Sequence, residues 1–238
     1  MRYNNYCTLI ISILLSLILI SNGGCQSSKN VKKGTKTIYF IRHGFYNESD
    51  NRDEFIGKEL TPLGIAQARL VTARLKGMPV KFTSLVSSTM TRARQTAIVI
   101  NEDFPELNLK QDELISECTP PSWRKDVMAG VDTTERDKCV ENLEKAFKKY
   151  FIPSLNSNGS NDIIICHGNV IRYFVTKVLK VDTMSWPQMS IANCSLTIVR
   201  IKPDGSMNLV SFNDVGHIPL NLQTETGGNN EMKELIIH

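Results

Sequence analysis

The sequence predicts an α/β fold: a three-layer sandwich of a mostly parallel sheet, with helices on both faces and an antiparallel hairpin at one edge. Three observations carry this. Residues 37–41 and 162–166 are apolar almost throughout, the composition of strands buried on both faces. Helical patterns with recognisable starts and stops alternate with such runs, as in sheets covered by crossover helices. Pro203-Asp204-Gly205 then joins two final strand-like segments, and that turn chemistry indicates a hairpin.

Residues 37–41 form the first strand. Thr61 supplies an N-cap and Pro62 a first-turn proline for a helix that Gly77 ends; Leu63, Ala66, Leu70 and Ala73 share one of its faces. Residues 82–88 read as a second strand and 91–104 as a second helix, stopped by Pro105. A third helix spans 135–151, with Val140, Leu143, Phe147 and Tyr150 on one face. Residues 162–166 are a strand, 170–179 a helix, and 195–202 with 207–213 the closing hairpin.

The chain has 238 residues, 41% hydrophobic and 22% charged, which excludes disorder and a multi-span membrane protein. A net charge of +4 is too mild to argue for nucleic acid but leaves an anionic substrate open. The six cysteines show no CxxC and no zinc spacing, so Cys118, Cys139, Cys166 and Cys194 read as small buried apolar residues. A chain of this length needs no disulfide staples. A homodimer stays open as the assembly.

Residues 1–25 stand apart from the fold. Arg2 precedes a 14-residue apolar run, Cys7 to Ile20, which has the length of a secretory signal core and is short for a membrane span. Gly23-Gly24-Cys25 follows, which resembles a bacterial lipoprotein signal with Cys25 as the lipidated residue; Asn22 departs from that pattern. An uncleaved signal anchor and a cleaved secreted form are the alternatives. In a bacterial host, all three place the folded part outside the cytoplasm, in the cell envelope for the anchored forms. Residues 26–36 read as a basic tether, 37–222 as the domain and 223–238 as a tail.

Chemistry collects at strand ends. Arg42-His43-Gly44 follows the first strand, Ser87-Ser88-Thr89 with Arg92 the second, and His167-Gly168-Asn169 the strand at 162–166. In open α/β sheets, ligands bind beyond the carboxyl ends of strands. Gly44 and Gly168 allow close backbone approach, and Asn169 starts a helix whose N-terminus favours an anion. Two arginines, two histidines and that helix terminus suit a phosphate.

These motifs (IRHG, LTPLG, SSTMTRARQTA and ICHGN) resemble the histidine phosphatase superfamily, whose members include phosphoglycerate mutases. Within it, SSTMTRA, ICHGNVIRY, MSIANCSLTIVRIKPDG and NDVGHIP look most like the branch called phosphoglycerate mutase family member five, mitochondrial serine/threonine protein phosphatases. The resemblance implies a phosphoglycerate mutase-like fold and hydrolysis of phosphomonoesters through a phosphohistidine, without metal or cofactor. By the same resemblance His43 is the nucleophile, Arg42 and Arg92 clamp the phosphoryl oxygens, His167 is the second pocket histidine and Glu117 the acid. The stretch Gly44-Phe45-Tyr46-Asn47-Glu48-Ser49 departs from the usual pattern, which leaves Asn47 a displaced candidate phosphate contact. The short segment from Arg92 to Glu117 carries no sugar-acid machinery, which favours a phosphatase that admits phosphoserine or phosphothreonine. A phosphomutase, an envelope phosphatase of small metabolites and a non-catalytic phospho-ligand module are the competing readings. A metal hydrolase built on His43, His167 and Glu117 finds no supporting spacing. Trp123 either lines the pocket or packs.

Overall fold

The computed structural model describes residues 32–225; the expected signal segment and lipidation site, and the rest of the C-terminal tail, lie outside the described residues. The strands are β1 (Lys36–Arg42), β2 (Ser84–Ser87), β3 (Leu109–Gln111), β4 (Ser160–Cys166), β5 (Leu196–Ile201) and β6 (Met207–Asp214). The helices are α1 (Pro62–Lys76), α2 (Thr91–Asp103), the one-turn α3 (Lys125–Met128), α4 (Thr133–Tyr150) and α5 (Gly168–Leu179). The strands make one sheet in the order β3-β2-β4-β1-β5-β6. The first four are parallel, while β5 runs antiparallel to β1 and β6 to β5. This is the expected sandwich. No described helix is long and apolar enough to cross a membrane.

Alternation along the strands divides the core between two faces. On one, Phe40 and Ile164 pack with Leu143 and Ala146 of α4 and with Val170 and Phe174 of α5. On the other, Ile41, Ile163, Ile165 and Leu85 pack with Val71 and Leu75 of α1 and with Ala97 and Ile100 of α2. Each buried Leu, Ile, Val or Phe among them contributes about 1.5–3 kcal/mol. A helix cap contributes typically ~1 kcal/mol, so burial in the two layers dominates. The caps still set where helices begin. Thr61 Oγ1 accepts from Gly64 N at 3.1 Å, and Asp132 Oδ1 accepts from Thr134 N at 2.8 Å and Glu135 N at 3.0 Å.

The structure corrects the sequence reading in several places. On α1 the buried face is Leu63, Gln67, Val71 and Leu75, while Ala73 is exposed. The burial of Gln67, a polar residue, is what turns the helix away from its apparent apolar stripe. On α4, Cys139 rather than Val140 faces inward. Part of the expected tether belongs to the domain. Gly34 exchanges backbone hydrogen bonds with Ser154 at 2.9 and 3.0 Å, and Lys36, already in β1, pairs with Asp162 at 3.4 Å. The three-residue β3 was not anticipated.

Cys118 and Cys139 are joined in a disulfide across a sequence separation of 21, while Cys166 and Cys194 are buried free thiols. The expectation of four unpaired cysteines is thus wrong for two of them. Their spacing matches no local motif; only the packing of the loop after β3 against α4 brings them together. In the chain-entropy account, closing a loop of this size stabilises the fold by roughly 3 kcal/mol.

Gly44 and Gly64 meet back to back where the loop after β1 crosses the start of α1. A Cβ on Gly64 would lie 1.9 Å from the carbonyl oxygen of Phe45. Backbone cannot yield as a flexible side chain can. Gly64→Ala is therefore expected to destabilise the protein by about 1–3 kcal/mol in urea unfolding. A midpoint equal to the wild type would show that the crossing can open.

Candidate active site

Strand register builds the site. Arg42 at the end of β1 lies opposite Cys166 at the end of β4, and Ser87 of β2 lies opposite Ile165. The residues that follow, His43, His167 and Ser88, therefore emerge together at one sheet edge. The ladder continues past the strands, with His43 N donating to Cys166 O at 3.0 Å and Ser88 N to Ile165 O at 2.9 Å. The two imidazole rings lie 5.1 Å apart, centre to centre.

Arg92, in the first turn of α2, donates from Nε to His43 Nε2 at 3.2 Å. A guanidinium can only donate, so this nitrogen of His43 is an acceptor. Its proton is assigned to Nδ1, which donates to Gly44 O at 2.9 Å. Arg42, also buried, donates from Nη1 to Ile191 O at 2.6 Å. His167 Nε2 shares a hydrogen bond with Ser88 Oγ at 2.8 Å, and its Nδ1 is a buried atom without a partner. Glu117 follows the turn at Glu113–Ile115 and likewise has a buried, unpartnered oxygen, Oε1.

These side chains, His167 behind them, border a cavity of about 480 Å³ whose wall includes Arg42, His43, Arg92, Glu117, Asn169 and Arg172. Burial, then the neighbouring Arg92, holds both histidines well below the ordinary imidazole value. Both are neutral at pH 7. Burial raises the Glu117 carboxyl above its usual range, against the opposing pull of Arg92, Arg42 and Arg172. Burial also lowers Arg42 to about 10, which leaves it charged at pH 7. The result is a cationic pocket that holds an unprotonated imidazole nitrogen and a carboxyl whose pKa burial has raised.

Five of the expected residues thus converge: Arg42, His43, Arg92, Glu117 and His167. Three others do not act as expected. The Gly44 amide donates to Thr96 Oγ1 at 3.0 Å and is spent inside the scaffold. Asn47 is exposed, accepts from Ser49, and borders a separate cavity of about 790 Å³. Tyr46 takes its place beside His43, with rings 5.2 Å apart. Asn169 reaches the cavity wall, but its side chain is committed: Nδ2 donates to Cys118 O at 2.9 Å, and Oδ1 accepts from Arg172 at 2.6 Å. Trp123 is 57% exposed and is absent from the cavity wall, whereas its neighbour Arg124 is on it.

Three contributors were missed. Arg172 lies one helical turn after Asn169 and stacks on Trp186 at 4.6 Å; that i, i+3 spacing within ICHGNVIRY was a readable signal. Glu54 pairs with Arg92 and, at 2.9 Å, with Lys58, so it is the anion that occupies the guanidinium in this structure. No sequence pattern announces it. The third is a buried polar chain behind His43. Asn193 Nδ2 donates to His43 O at 3.0 Å, Thr224 Oγ1 to Asn193 Oδ1 at 2.9 Å, and Gln67 Nε2 to Thr224 Oγ1 at 2.9 Å. Gln67 Oε1 then accepts from Phe45 N at 2.9 Å.

Residues 38–150 and 149–215 match the family described as the histidine phosphatase superfamily, branch 1, and the chain belongs to that superfamily. Among curated relatives, the mitochondrial serine/threonine-protein phosphatase Pgam5 of Caenorhabditis elegans is 36% identical over 198 residues, 79% of this chain and 66% of the relative. The Xenopus laevis and Homo sapiens proteins of that name are 32% and 31% identical. The match spans about two thirds of the worm relative's length. Among solved structures, phosphoglycerate mutase from Plasmodium falciparum aligns with a TM-score of 0.55 and 28% identity over 79% of this chain and 96% of that one. Bacillus stearothermophilus YhfR aligns at 0.63 and 20% identity over 77% of this chain and 100% of its own, a likeness of fold.

The raised Glu117 value has a consequence for stability. A carboxyl whose folded pKa lies above its unfolded one stabilises the fold fully at low pH and loses that contribution as pH rises through the folded value. Glu117→Gln removes this titration. Its melting temperature relative to wild type should therefore rise from pH 4 to pH 8. A gap that is flat or reversed with pH would show a carboxylate held ionised by the arginines.

Proposed function

We propose that the protein hydrolyses phosphomonoesters through a phosphohistidine on His43, and that phosphoserine and phosphothreonine peptides are among its substrates. The observation that carries this reading is the tautomer of His43. Its Nε2 lone pair accepts from Arg92 Nε at the cavity wall, and burial keeps it unprotonated, so it is the nitrogen freed for attack when the arginine turns to a phosphoryl group. The substrate phosphoryl group displaces Glu54 from Arg92 and is clamped by Arg42 and Arg92. His43 Nε2 attacks phosphorus as the bond to the leaving oxygen breaks, and Glu117 passes its proton to that oxygen. Water then attacks the phosphohistidine, Glu117 takes back a proton, and inorganic phosphate leaves. Fixed cations meet the charge on the equatorial oxygens, so no metal is needed in this scheme.

The substrate class rests on the relatives that are serine/threonine protein phosphatases and on the pocket beyond the clamp. That side presents Pro187, Met189 and Ile191 beside Ser190, Glu225 and Arg124, the last paired with Asp126. A mutase would have to retain its dephosphorylated intermediate between two transfers. We further infer that the protein works in an oxidising compartment as a membrane-tethered lipoprotein. The disulfide supports the first part, since such bonds persist outside reducing cytosol. Intact mass of membrane-extracted protein should begin at a diacylated Cys25; residues 1–24 still attached would remove the lipoprotein reading.

Brief reaction with ³²P-labelled substrate should leave acid-labile, base-stable label on His43. His43→Ala should lower kcat/KM by at least ~10³-fold, of the order of 4 kcal/mol, with folding retained. Near-normal turnover in that variant would end the mechanism. A panel of phosphopeptides, sugar phosphates and an aryl phosphate, with and without EDTA, addresses substrate and metal together. Peptides should be hydrolysed at EDTA-independent rates. One small metabolite outrunning every peptide by more than ~100-fold, about 2.7 kcal/mol, would reject the protein-phosphatase branch.

A further inference from the structure

We propose that the Cys118–Cys139 disulfide is a positioning element for the proton donor: it ties the segment carrying Glu117 to α4 and so sets the reach of the acid toward the leaving oxygen. The proposal rests on the reading of Glu117 as the acid. Cys118 is the residue immediately after Glu117, and Cys139 is buried on the inner face of α4. The bond thus links the acid, through one peptide unit, to a helix whose Leu143 and Ala146 are in the core.

The remaining ties on this segment are non-covalent. Before the acid, Ser116 Oγ meets Thr89 Oγ1 at 3.1 Å and Ser88 Oγ at 3.3 Å. After it, Asn169 Nδ2 donates to Cys118 O at 2.9 Å, and Trp186 Nε1 donates to Pro120 O and Pro121 O at 3.2 and 3.1 Å. The Glu117 carboxyl takes a hydrogen bond from the backbone of Cys118, the disulfide residue itself, and its Oε1 has no hydrogen-bond partner. The direction of the carboxyl therefore depends on where its backbone is held. Catalytic groups displaced by an ångström lose much of their effect, so releasing the covalent tie should weaken proton donation without abolishing it.

Leaving-group chemistry separates this role from a merely structural one. An alkoxide leaving from phosphoserine needs a proton; a nitrophenolate leaving from an aryl phosphate does not. Because kcat/KM reports the steps through leaving-group departure, it registers the loss directly. The protein is compared as purified, after dithiothreitol, and as the double variant Cys118→Ser with Cys139→Ser. Dithiothreitol converts the bond to two thiols and is itself oxidised to its cyclic disulfide; peptide mapping after alkylation confirms the state. Glu117→Gln serves as the reference for loss of the acid.

Loss of the bond should lower kcat/KM for a phosphoserine peptide by about 10–30-fold and for p-nitrophenyl phosphate by less than about 3-fold. The reduced protein should recover on reoxidation, and circular dichroism should stay unchanged. Equal losses on both substrates, or none, with Glu117→Gln still selective, would overturn the positioning role. If Glu117→Gln itself failed to discriminate the substrates, the assignment of the acid would fall first and take this proposal with it. Should the double variant not fold, the reduced wild-type protein supplies the same comparison.

Discussion

Two guanidinium groups and two imidazoles share one buried sheet edge, and that crowding is tolerable only while the imidazoles carry no proton. Arg42 stays charged at pH 7 and Arg92 lies against both rings, so the burden of neutrality falls on His43 and His167. The same electrostatics that forbid an imidazolium welcome a phosphoryl dianion. A single constraint thus keeps His43 unprotonated and, in the function proposed above, suits the pocket to an anion. Glu54 fits this picture as the charge that partly offsets Arg92.

The constraint reaches outward through the scaffold. Parallel register sets the two histidines side by side, and the glycine pair Gly44 and Gly64 lets the chain leave β1 under the start of α1. Arg172 has its donors engaged within the scaffold. It holds Asn169 at 2.6 Å and donates to Met189 O at 3.0 Å, joining the wall of the cavity to the acid-bearing segment. Much of the charge near the site is therefore structural, spent on carbonyl oxygens and aromatic faces.

The layers of this fold were legible because buried strands and capped helices leave strong local marks, as residues 37–41 and Thr61-Pro62 did. The residues of the candidate site were legible for a related reason: Arg42, His43, Arg92 and His167 sit at strand ends or in a first helical turn, fixed by local sequence. What escaped detection depends on distant partners. Gln67 faces inward because Phe45 and Thr224 meet it there, and the apolar period of α1 cannot show that. Cys118 and Cys139 pair because a loop folds onto a helix. Asn47 was misassigned because its loop departs from the family pattern, and Tyr46 fills the space instead.

The polar chain through Asn193 and Thr224 bears on biosynthesis. The backbone at His43 emerges from the ribosome early, yet its carbonyl partner is 150 positions further on, and Asn193 is in turn held by Thr224. A nascent chain that stops short of those residues has Arg42, Arg92, both site histidines and Glu117, but lacks the buttress behind His43. Completion of this edge is thereby deferred until Asn193 and Thr224 have been made, and the topology, with β1 flanked by β4 and β5, imposes the same order.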